Sequence, residues 1–376
     1  MPNGSHAKSK TKIRYAVVGL GHVSQAAILP AFANSAENSE LTALVSGNPA
    51  KLRRLSEKYN VRHTFPYERY ADCLHSGEID AVYIALPNNM HKDFAVPAAR
   101  AGIHVLCEKP MALEEADCEL MIEAAKEAGV KLMPAYCTHF EPGNVQLVEA
   151  IQAGKIGEPR IFTSVFSQRA KPCSSHLKKD VGGGVLYDLG IHCINAARFL
   201  FGSEPCEAFA SSTMVLDRRG KESSGTFAGL LKFAGDRVAS FTVTFGAADR
   251  SAFEVIGTKG ILKMDPAFEM AKDLKSEVTI GNWKIKEIFS RRDPYASELT
   301  YFSNCALQDL EPDPSGQTGL ADVRIIRALQ ISAETRATVS IPQEGPSQAC
   351  EPHQRRLKQP VICRPQLLRP ALSGAD

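Results

Sequence analysis

The chain has 376 residues, of which 44% are hydrophobic and 23% charged, the composition of an ordinary folded protein long enough for two domains. The apolar run at residues 81–87 is far shorter than the roughly 18 residues of a membrane helix, which excludes a transmembrane protein. A net charge of +2 excludes the basic footprint of a nucleic-acid-binding protein.

Cysteine and histidine spacing gives no sign of a metal site. The ten cysteines include no C-x-x-C pair, and the ten histidines include no H-x-x-x-H pair. Residues 1–12 are polar and lack the apolar stretch of a secretory signal, so we expect a cytoplasmic protein with reduced thiols.

Residues 12–135 alternate short apolar runs with amphipathic segments. The predicted strands cover residues 13–18, 41–46, 81–86, 104–107 and 131–135, and the predicted helices cover residues 23–34, 48–59, 91–101 and 113–128. Continuous apolar strands separated by helices are typical of a parallel sheet covered on both faces. We therefore predict an α/β fold whose first domain, residues 12–135, is a doubly wound Rossmann domain.

The pattern changes after Tyr136. Helices are predicted around residues 145–153, from the glycine run 182–184 to Phe201, and at 319–336, and strands at 160–167, 207–214, 226–233, 237–245, 252–257 and 260–264. These predict a second, α+β domain at residues 136–341 with a large, mainly antiparallel open sheet. The proline-rich segment 342–376 is predicted to be an extended or disordered tail.

A glycine motif follows the first predicted strand. Gly19, Gly21 and Ser24 have the G-x-G-x-x-G spacing, with serine in place of the third glycine. Between a strand and a helix, such a loop makes a tight turn and brings backbone N–H groups to a pyrophosphate. The alternative is a glycine turn that only packs.

The end of the second predicted strand bears on cofactor choice. An NAD site usually has a carboxylate there for the ribose hydroxyls, yet residues 42–55 contain no acid. Ser46 with Lys51, and with Arg53 or Arg54, suits the 2′-phosphate of NADP. The alternative is that these cations form a solvated helix face.

Two further segments carry candidate catalytic groups. Lys109 follows the strand at 104–107 and precedes a proline, which directs it toward the ligand crevice, although a surface lysine is the alternative. Asp188 and His192 are four residues apart and would share one face of a largely buried helix. Polar groups in such a helix either line a cleft or form a structural pair.

Taken together, these segments resemble the Gfo/Idh/MocA family of oxidoreductases. The matching stretches are Gly19-Leu20-Gly21, Leu86-Pro87-Asn88, Glu108-Lys109-Pro110, residues 182–192 and residues 319–324. The resemblance spans about residues 13–341. It implies a Rossmann domain, a second domain whose open sheet often mediates oligomers, bound NAD(P), and catalytic roles for Lys109, Asp188 and His192.

The expected chemistry is hydride transfer at a secondary alcohol. His192 is the candidate general base, Lys109 stabilises the developing alkoxide, and Asp188 orients the substrate or the imidazole. The residues that we expect to contact the dinucleotide are Gly19, Leu20, Gly21, His22, Val23, Ser46, Gly47, Asn48, Lys51, Leu86, Pro87, Asn88, His91, Glu108, Lys109 and Tyr136. A helix-capping role for Asn88 and simple packing of Tyr136 are the alternatives.

The leading hypothesis is thus an NADP-dependent oxidoreductase, with NAD also possible, acting on a sugar, a cyclitol or a related diol. Two other readings stay open: a glycoside-cleaving enzyme that uses a retained nicotinamide transiently, and a non-catalytic dinucleotide-binding protein. We expect no nucleic-acid or membrane partner, and a homodimer or homotetramer formed through the second sheet.

Overall fold

The computed structural model describes residues 11–169, 184–216, 222–268 and 272–342, which form two sheets with flanking helices. The predicted tail lies outside the described residues, apart from Pro342. Among the described residues, no helix is long and apolar enough to span a membrane.

The first sheet confirms the predicted Rossmann architecture. Its parallel strands, in the spatial order β3-β2-β1-β4-β5-β6, are β1 (Ile13–Val18), β2 (Ser39–Val45), β3 (His63–Phe65), β4 (Ala81–Ile84), β5 (His104–Glu108) and β6 (Leu132–Ala135). The chain leaves β1 toward β2 on one side and later returns to β4 on the other. This reversal opens a crevice at the carboxyl ends of β1 and β4, where dinucleotides bind in such folds.

Helices cover both faces of the first sheet. They are α1 (Leu29–Ala31), α2 (Pro49–Tyr59), α3 (Tyr70–Leu74), α4 (His91–Arg100) and α5 (Glu115–Ala128). The first predicted helix is shorter than expected and ends at Ala31 rather than near residue 34. It also begins with a π-helical turn at Ser24–Ile28, which leads into α1. The strand β3 and the helix α3 were not predicted.

The second sheet confirms the predicted mainly antiparallel architecture. Its nine strands, within the described part of the chain, follow the order β14-β13-β12-β11-β7-β10-β9-β8-β15, and the β7–β10 pair is parallel. The strands are β7 (Pro159–Ser167), β8 (Pro205–Leu216), β9 (Glu222–Phe233), β10 (Arg237–Thr244), β11 (Arg250–Gly257), β12 (Gly260–Met264), β13 (Leu274–Ile280), β14 (Trp283–Phe289) and β15 (Val339–Ser340). The last three strands were not predicted.

One face of the second sheet is covered and the other is open. The covering helices include α6 (Pro142–Gln152), α7 (Ile191–Phe201) and α9 (Gly316–Thr335), whose apolar side chains share a core with the sheet. On the open face, apolar side chains such as Val165, Phe209 and Leu230 are more than 40% exposed.

Helix α8 (Pro294–Gln308) returns to the first sheet. Tyr295, Leu299 and Phe302 pack in one core with Tyr15 and Tyr83 of that sheet. The residues predicted as a second domain, 136–341, therefore include a helix that completes the core of the first.

Candidate active site

The glycine loop after β1 has the shape of a phosphate cradle. Gly19 has a φ of +91°, and a Cβ placed on it would lie 2.5 Å from the carbonyl oxygen of Ala85, so a side chain there is excluded. A Cβ on Gly21 would meet no protein atom within 4 Å, which leaves its backbone open to a ligand. The Ser24 hydroxyl donates to the Gly19 carbonyl at 2.6 Å, so serine in the third position braces the turn.

The neighbouring residues of this loop differ in exposure. Leu20 is buried, His22 is exposed, and Val23 is half-buried at the start of the helical turn. The Gln25 side chain donates to the Leu20 carbonyl at 2.8 Å, which adds a second brace. The helix therefore begins with its N–H groups at the crevice, where they favour an anion.

In the segment after β2, the three candidate cations differ in their exposure, which the sequence could not show. Lys51 is 5% exposed, whereas Arg53 and Arg54 are exposed on the solvent side of α2. Ser46 is fully buried, and its hydroxyl accepts from the Asn48 backbone N–H at 3.2 Å. The solvated-face alternative therefore describes the two arginines and does not describe Lys51.

Asn48 and Gly47 serve the local structure. The Asn48 side chain accepts from the Lys51 backbone N–H at 3.1 Å and caps α2, a role that does not need a cofactor. A Cβ on Gly47 would lie 3.0 Å from the Tyr67 ring, so glycine allows the chain to pass this ring.

His91 connects the loops that follow β4 and β5. It is fully buried, and its ring nitrogens lie 2.9 Å from the Leu86 carbonyl oxygen and 3.0 Å from the Pro110 carbonyl oxygen. Burial lowers its pKa, and the Lys109 cation lowers it further. Both nitrogens face backbone carbonyls, of which a neutral imidazole can donate to one, so this geometry supports a loop-fixing role and does not support the expected contact with the ribose.

Pro87 and Asn88 are half-buried beside the crevice, after buried Leu86. Helix α4 begins at His91 with Met90 at its N-cap and no side-chain cap. The alternative in which Asn88 caps this helix is therefore wrong, and its expected contact with the cofactor stays a prediction.

Lys109 and the segment before α7 meet across the crevice. The Lys109 Nζ donates to the backbone carbonyl of Asp188 at 3.3 Å. Lys109 follows β5 of the first sheet, and Asp188 belongs to the segment that leads into α7 on the second sheet. The structure thus brings these two predicted residues together, through the carbonyl of Asp188 rather than through its carboxylate.

His192 stands at the start of α7, directly after a π-helical turn at Leu186–Gly190. This turn corrects the prediction of a continuous α-helix, because i→i+5 bonding rotates Asp188 relative to His192. The half-buried imidazole packs beside the rings of Phe166 and Phe268, at centroid distances of 5.6 and 5.9 Å, and these two rings contact each other at 5.1 Å.

Burial places the pKa of His192 well below its usual value, and the nearby Lys109 cation lowers it further. The imidazole is therefore neutral at pH 7, so one of its ring nitrogens can accept a proton. Its proximity to the ammonium of Lys109 gives one basic and one cationic group at the same crevice.

Glu108 belongs to a buried acidic cluster beneath Lys109. The Tyr83 hydroxyl lies 3.1 Å from Glu108 Oε1 and 3.2 Å from Glu298 Oε2. Because a hydroxyl has one proton, satisfying both contacts needs a proton on one of the carboxyl groups. Burial raises the pKa of Glu108, which agrees with that requirement. Neither Tyr83 nor Glu298 was expected at the site from the sequence.

Tyr136 lies behind the crevice. It is 2% exposed, and its hydroxyl donates to Asp322 of α9. This geometry favours the packing alternative for Tyr136 over a contact with the cofactor.

The described residues fit a dinucleotide. The open space at Gly21 and the positive helix start together leave room for the pyrophosphate of such a cofactor. Of the glycine-run stretch, residues 182 and 183 lie outside the described residues.

Comparisons with known proteins agree with this arrangement. A family model described as "Oxidoreductase family, NAD-binding Rossmann fold" matches residues 13–136, and one described as "GFO/IDH/MocA C-terminal domain" matches residues 145–263. The D-xylose 1-dehydrogenase [NADP(+)] of Haloarcula marismortui is 30% identical over 336 residues, which cover 88% of this chain and 93% of that protein.

Solved structures are similar over the same region. The aldose-aldose oxidoreductase of Caulobacter crescentus, complexed with glycerol, has 34% identity and a TM-score of 0.83, covering 88% of this chain and 99% of that one. A 3-ketoreductase of Actinomadura kijaniata, in complex with NADP and TDP-benzene, has 26% identity and a TM-score of 0.74, covering 85% and 98%. The chain therefore belongs to the GFO/IDH/MocA family of oxidoreductases.

Proposed function

We propose that this protein transfers a hydride between NADP and a secondary alcohol of a sugar, a cyclitol or a related diol. The observation that carries the proposal is the meeting of Lys109 and the His192 segment across the crevice, 3.3 Å apart at the Lys109 Nζ and the Asp188 carbonyl. One sheet supplies a cation and the other supplies a neutral imidazole, which are the groups that alcohol oxidation requires.

The roles follow from the chemistry of an alcohol that loses a hydride. When bound, the nicotinamide accepts or returns the hydride at its ring carbon C4. His192, kept neutral by burial and by Lys109, takes the hydroxyl proton at one ring nitrogen. The Lys109 ammonium donates a hydrogen bond to the same oxygen and stabilises its developing negative charge. We propose that the Asp188 carboxylate orients the substrate hydroxyls.

The preference for NADP rests on the segment after β2. A buried lysine in the first turn of α2, next to buried Ser46 and without a neighbouring acid, supplies positive charge for a 2′-phosphate. The NADP in the name of the xylose dehydrogenase and the NADP bound to the 3-ketoreductase support the same choice.

The substrate class rests on the similar proteins. Their names refer to xylose, to aldoses and to a ketoreductase, so oxidation or reduction at a carbohydrate carbon is their common feature. The flanking rings of Phe166 and Phe268 give His192 an apolar wall, which suits the C–H face of a pyranose or cyclitol.

We also propose that the open face of the second sheet joins copies of this chain. Exposed Phe209 of β8 and Leu230 of β9 lie opposite each other on this face, and exposed Val238 of β10 lies opposite exposed Ile161 of β7. Clusters of exposed apolar side chains mark interaction surfaces. A homodimer or homotetramer would bury them.

The test is a panel of aldoses, cyclitols and ketoses with NADP, NAD and their reduced forms, followed by the absorbance of the reduced nicotinamide. We expect turnover with NADP on at least one carbohydrate, and loss of at least 100-fold in kcat for His192→Ala with unchanged NADP binding. Arg53→Ala, on the exposed side of α2, is the matched control and should keep its kcat. Binding of NADP without turnover would favour a dinucleotide-binding protein. Glycoside cleavage without net reduction would favour the transient-oxidation reading.

A further inference from the structure

Helix α9 contacts the cores of both sheets. Its residues Leu320 and Val323 pack in the core of the first sheet, whereas Ile326 and Leu329 pack in the core of the second. Helix α9 therefore touches the two elements that carry the candidate catalytic groups, although it carries none of them itself.

The first half of α9 lies close to the segment that follows Lys109. A Cβ placed on Gly319 would lie 3.1 Å from both the Cβ and the Sδ of Met111, and Met111 is fully buried. Arg324 donates to Glu115 at the start of α5 at 2.8 Å. Close packing at Gly319 and this ion pair together fix α9 against the loop that holds Lys109.

One turn beyond Gly319, Asp322 binds the helix that carries His192. Asp322 is fully buried; its Oδ1 accepts from Arg198 Nη1 at 2.6 Å, and its Oδ2 accepts from Asn195 Nδ2 at 3.1 Å. Asn195 lies three residues after His192 on α7, and Arg198 lies one turn further. The carboxylate thereby holds the side of α7 that turns toward α9.

Further hydrogen bonds and ion pairs constrain the geometry of this network. Arg198 also donates to both oxygens of Glu204, at 2.6 and 2.7 Å, and to the Thr318 carbonyl at 3.2 Å. Tyr136, which directly follows β6 of the first sheet, donates to Oδ2 of Asp322. A buried ion pair adds little net stability, but removing one partner leaves an uncompensated charge, so such networks favour one arrangement.

We propose that residues 319–324 of α9 form a bridge that sets the distance between Lys109 and His192, and that Asp322 is the positioning residue at its centre. The proposal rests on the proposed function, because it assigns these two side chains to one reaction. Gly319 fixes the bridge against the Lys109 loop, and Asp322 fixes it against α7. Since a displacement of about 1 Å at reacting groups can cost about 100-fold in rate, loosening either end should slow the chemical step.

The first experiment replaces Asp322 by asparagine, which keeps its size and removes one of the two carboxylate charges that Arg198 contacts, leaving that of Glu204. We expect kcat to fall at least tenfold, while the Kd for NADP and the KM for the carbohydrate change by less than threefold. A Ser303→Ala variant is the matched control. Ser303 is fully buried and bonds Tyr15 and Ser39 from α8, which packs with a different core of the first sheet. It should keep its kcat within twofold.

The second readout is amide hydrogen exchange, which needs no activity. Asp322→Asn should accelerate exchange both at residues 107–113 and at residues 191–198, and Ser303→Ala should accelerate neither. Faster exchange on α7 alone, or a kcat within twofold of the wild type, would overturn the bridge.

Gly319→Ala keeps the proposal testable if Asp322→Asn does not fold. This variant leaves the ionic network in place and presses on Met111, and we expect the same tenfold fall in kcat with unchanged binding of NADP. An unchanged kcat would count against the bridge. If the wild type neither oxidises a carbohydrate with NADP nor reduces one with NADPH, the proposed function fails, and the exchange pattern still decides whether α9 couples the two segments.

Discussion

Two glycines in one loop provide the sharpest prediction about cofactor binding, because the structure gives them opposite surroundings. In Gly21→Ala, the new Cβ meets no protein atom within 4 Å, so the free energy of unfolding should stay equal or rise by up to about 1 kcal/mol. The methyl group would nevertheless stand where a pyrophosphate approaches the backbone. We expect the Kd for NADP to rise at least tenfold, which corresponds to about 1.4 kcal/mol.

Gly19→Ala is the contrasting variant. Its Cβ would lie 2.5 Å from the Ala85 carbonyl oxygen and 2.9 Å from its carbonyl carbon, at a φ of +91°. The backbone of Ala85 is itself bonded to Val18 at 2.8 Å, so it yields only by straining the sheet. We expect a loss of about 1–3 kcal/mol in the free energy of unfolding, together with weaker binding of NADP.

The assays are urea denaturation without nucleotide and fluorescence titration with NADPH. The two properties should separate: Gly21→Ala loses affinity alone, and Gly19→Ala loses both affinity and stability. If Gly21→Ala binds NADPH as the wild type does, the loop is not the pyrophosphate site and the cofactor assignment is refuted.

Three further predictions concern charge and assembly. Ser46→Asp should lower the ratio of kcat/KM for NADP to that for NAD at least tenfold, because two like charges about 4 Å apart repel by about 4 kcal/mol at an effective dielectric constant of about 20; an unchanged ratio would remove Ser46 from the site. Lys109→Met should move the acidic limb of the pH–rate profile to higher pH, because burial and the Lys109 cation both lower the pKa of His192 and the variant removes the second cause. An acidic limb that stays at the same pH would show that Lys109 does not lower the pKa of His192. Leu230→Asp should reduce the mass measured by sedimentation, whereas Arg53→Asp on the exposed side of α2 should not; equal masses would contradict assembly through the open face.

Local signals in the sequence were sufficient for the Rossmann half of the fold. Continuous apolar strands identified β1, β4 and β5, and the sequence Asn48-Pro49 marked the start of α2 where the structure has it. Such signals depend on neighbouring residues and on burial from both faces, so they can be read without tertiary information.

The elements that the sequence analysis missed have weaker or mixed signals. Strand β14 is exposed along nearly its whole length and alternates lysines with apolar residues, so it lacks a buried face. Helix α8 has a readable start, since Asp293 accepts from the Ala296 N–H at 3.0 Å and Pro294 follows it. Its packing on the first sheet depends on contacts with residues more than 200 positions away, which local patterns do not contain.

The candidate site was predicted in its residue types but not in its geometry. Lys109 and His192 do approach one crevice, yet the π-helical turn before His192 changes the register that an α-helix would give. A Cβ on Gly190, the last residue of this turn, would lie 2.7 Å from Leu186 Cδ1, so glycine lets the Leu186 side chain pack against the turn. The contacts of the Tyr83 hydroxyl with Glu108 and Glu298 could be identified only from the three-dimensional structure, because Tyr83 and Glu298 are 215 residues apart.

Transfer of a deuterium label tests the central claim most directly. A carbohydrate substrate that carries deuterium at its reacting carbon should deliver the label to C4 of NADP in the wild type. With His192→Ala the same transfer should slow at least 100-fold, while NADP stays bound. If product forms while the hydrogen gained at C4 of the nicotinamide comes from water and carries no deuterium, hydride transfer at this crevice is contradicted.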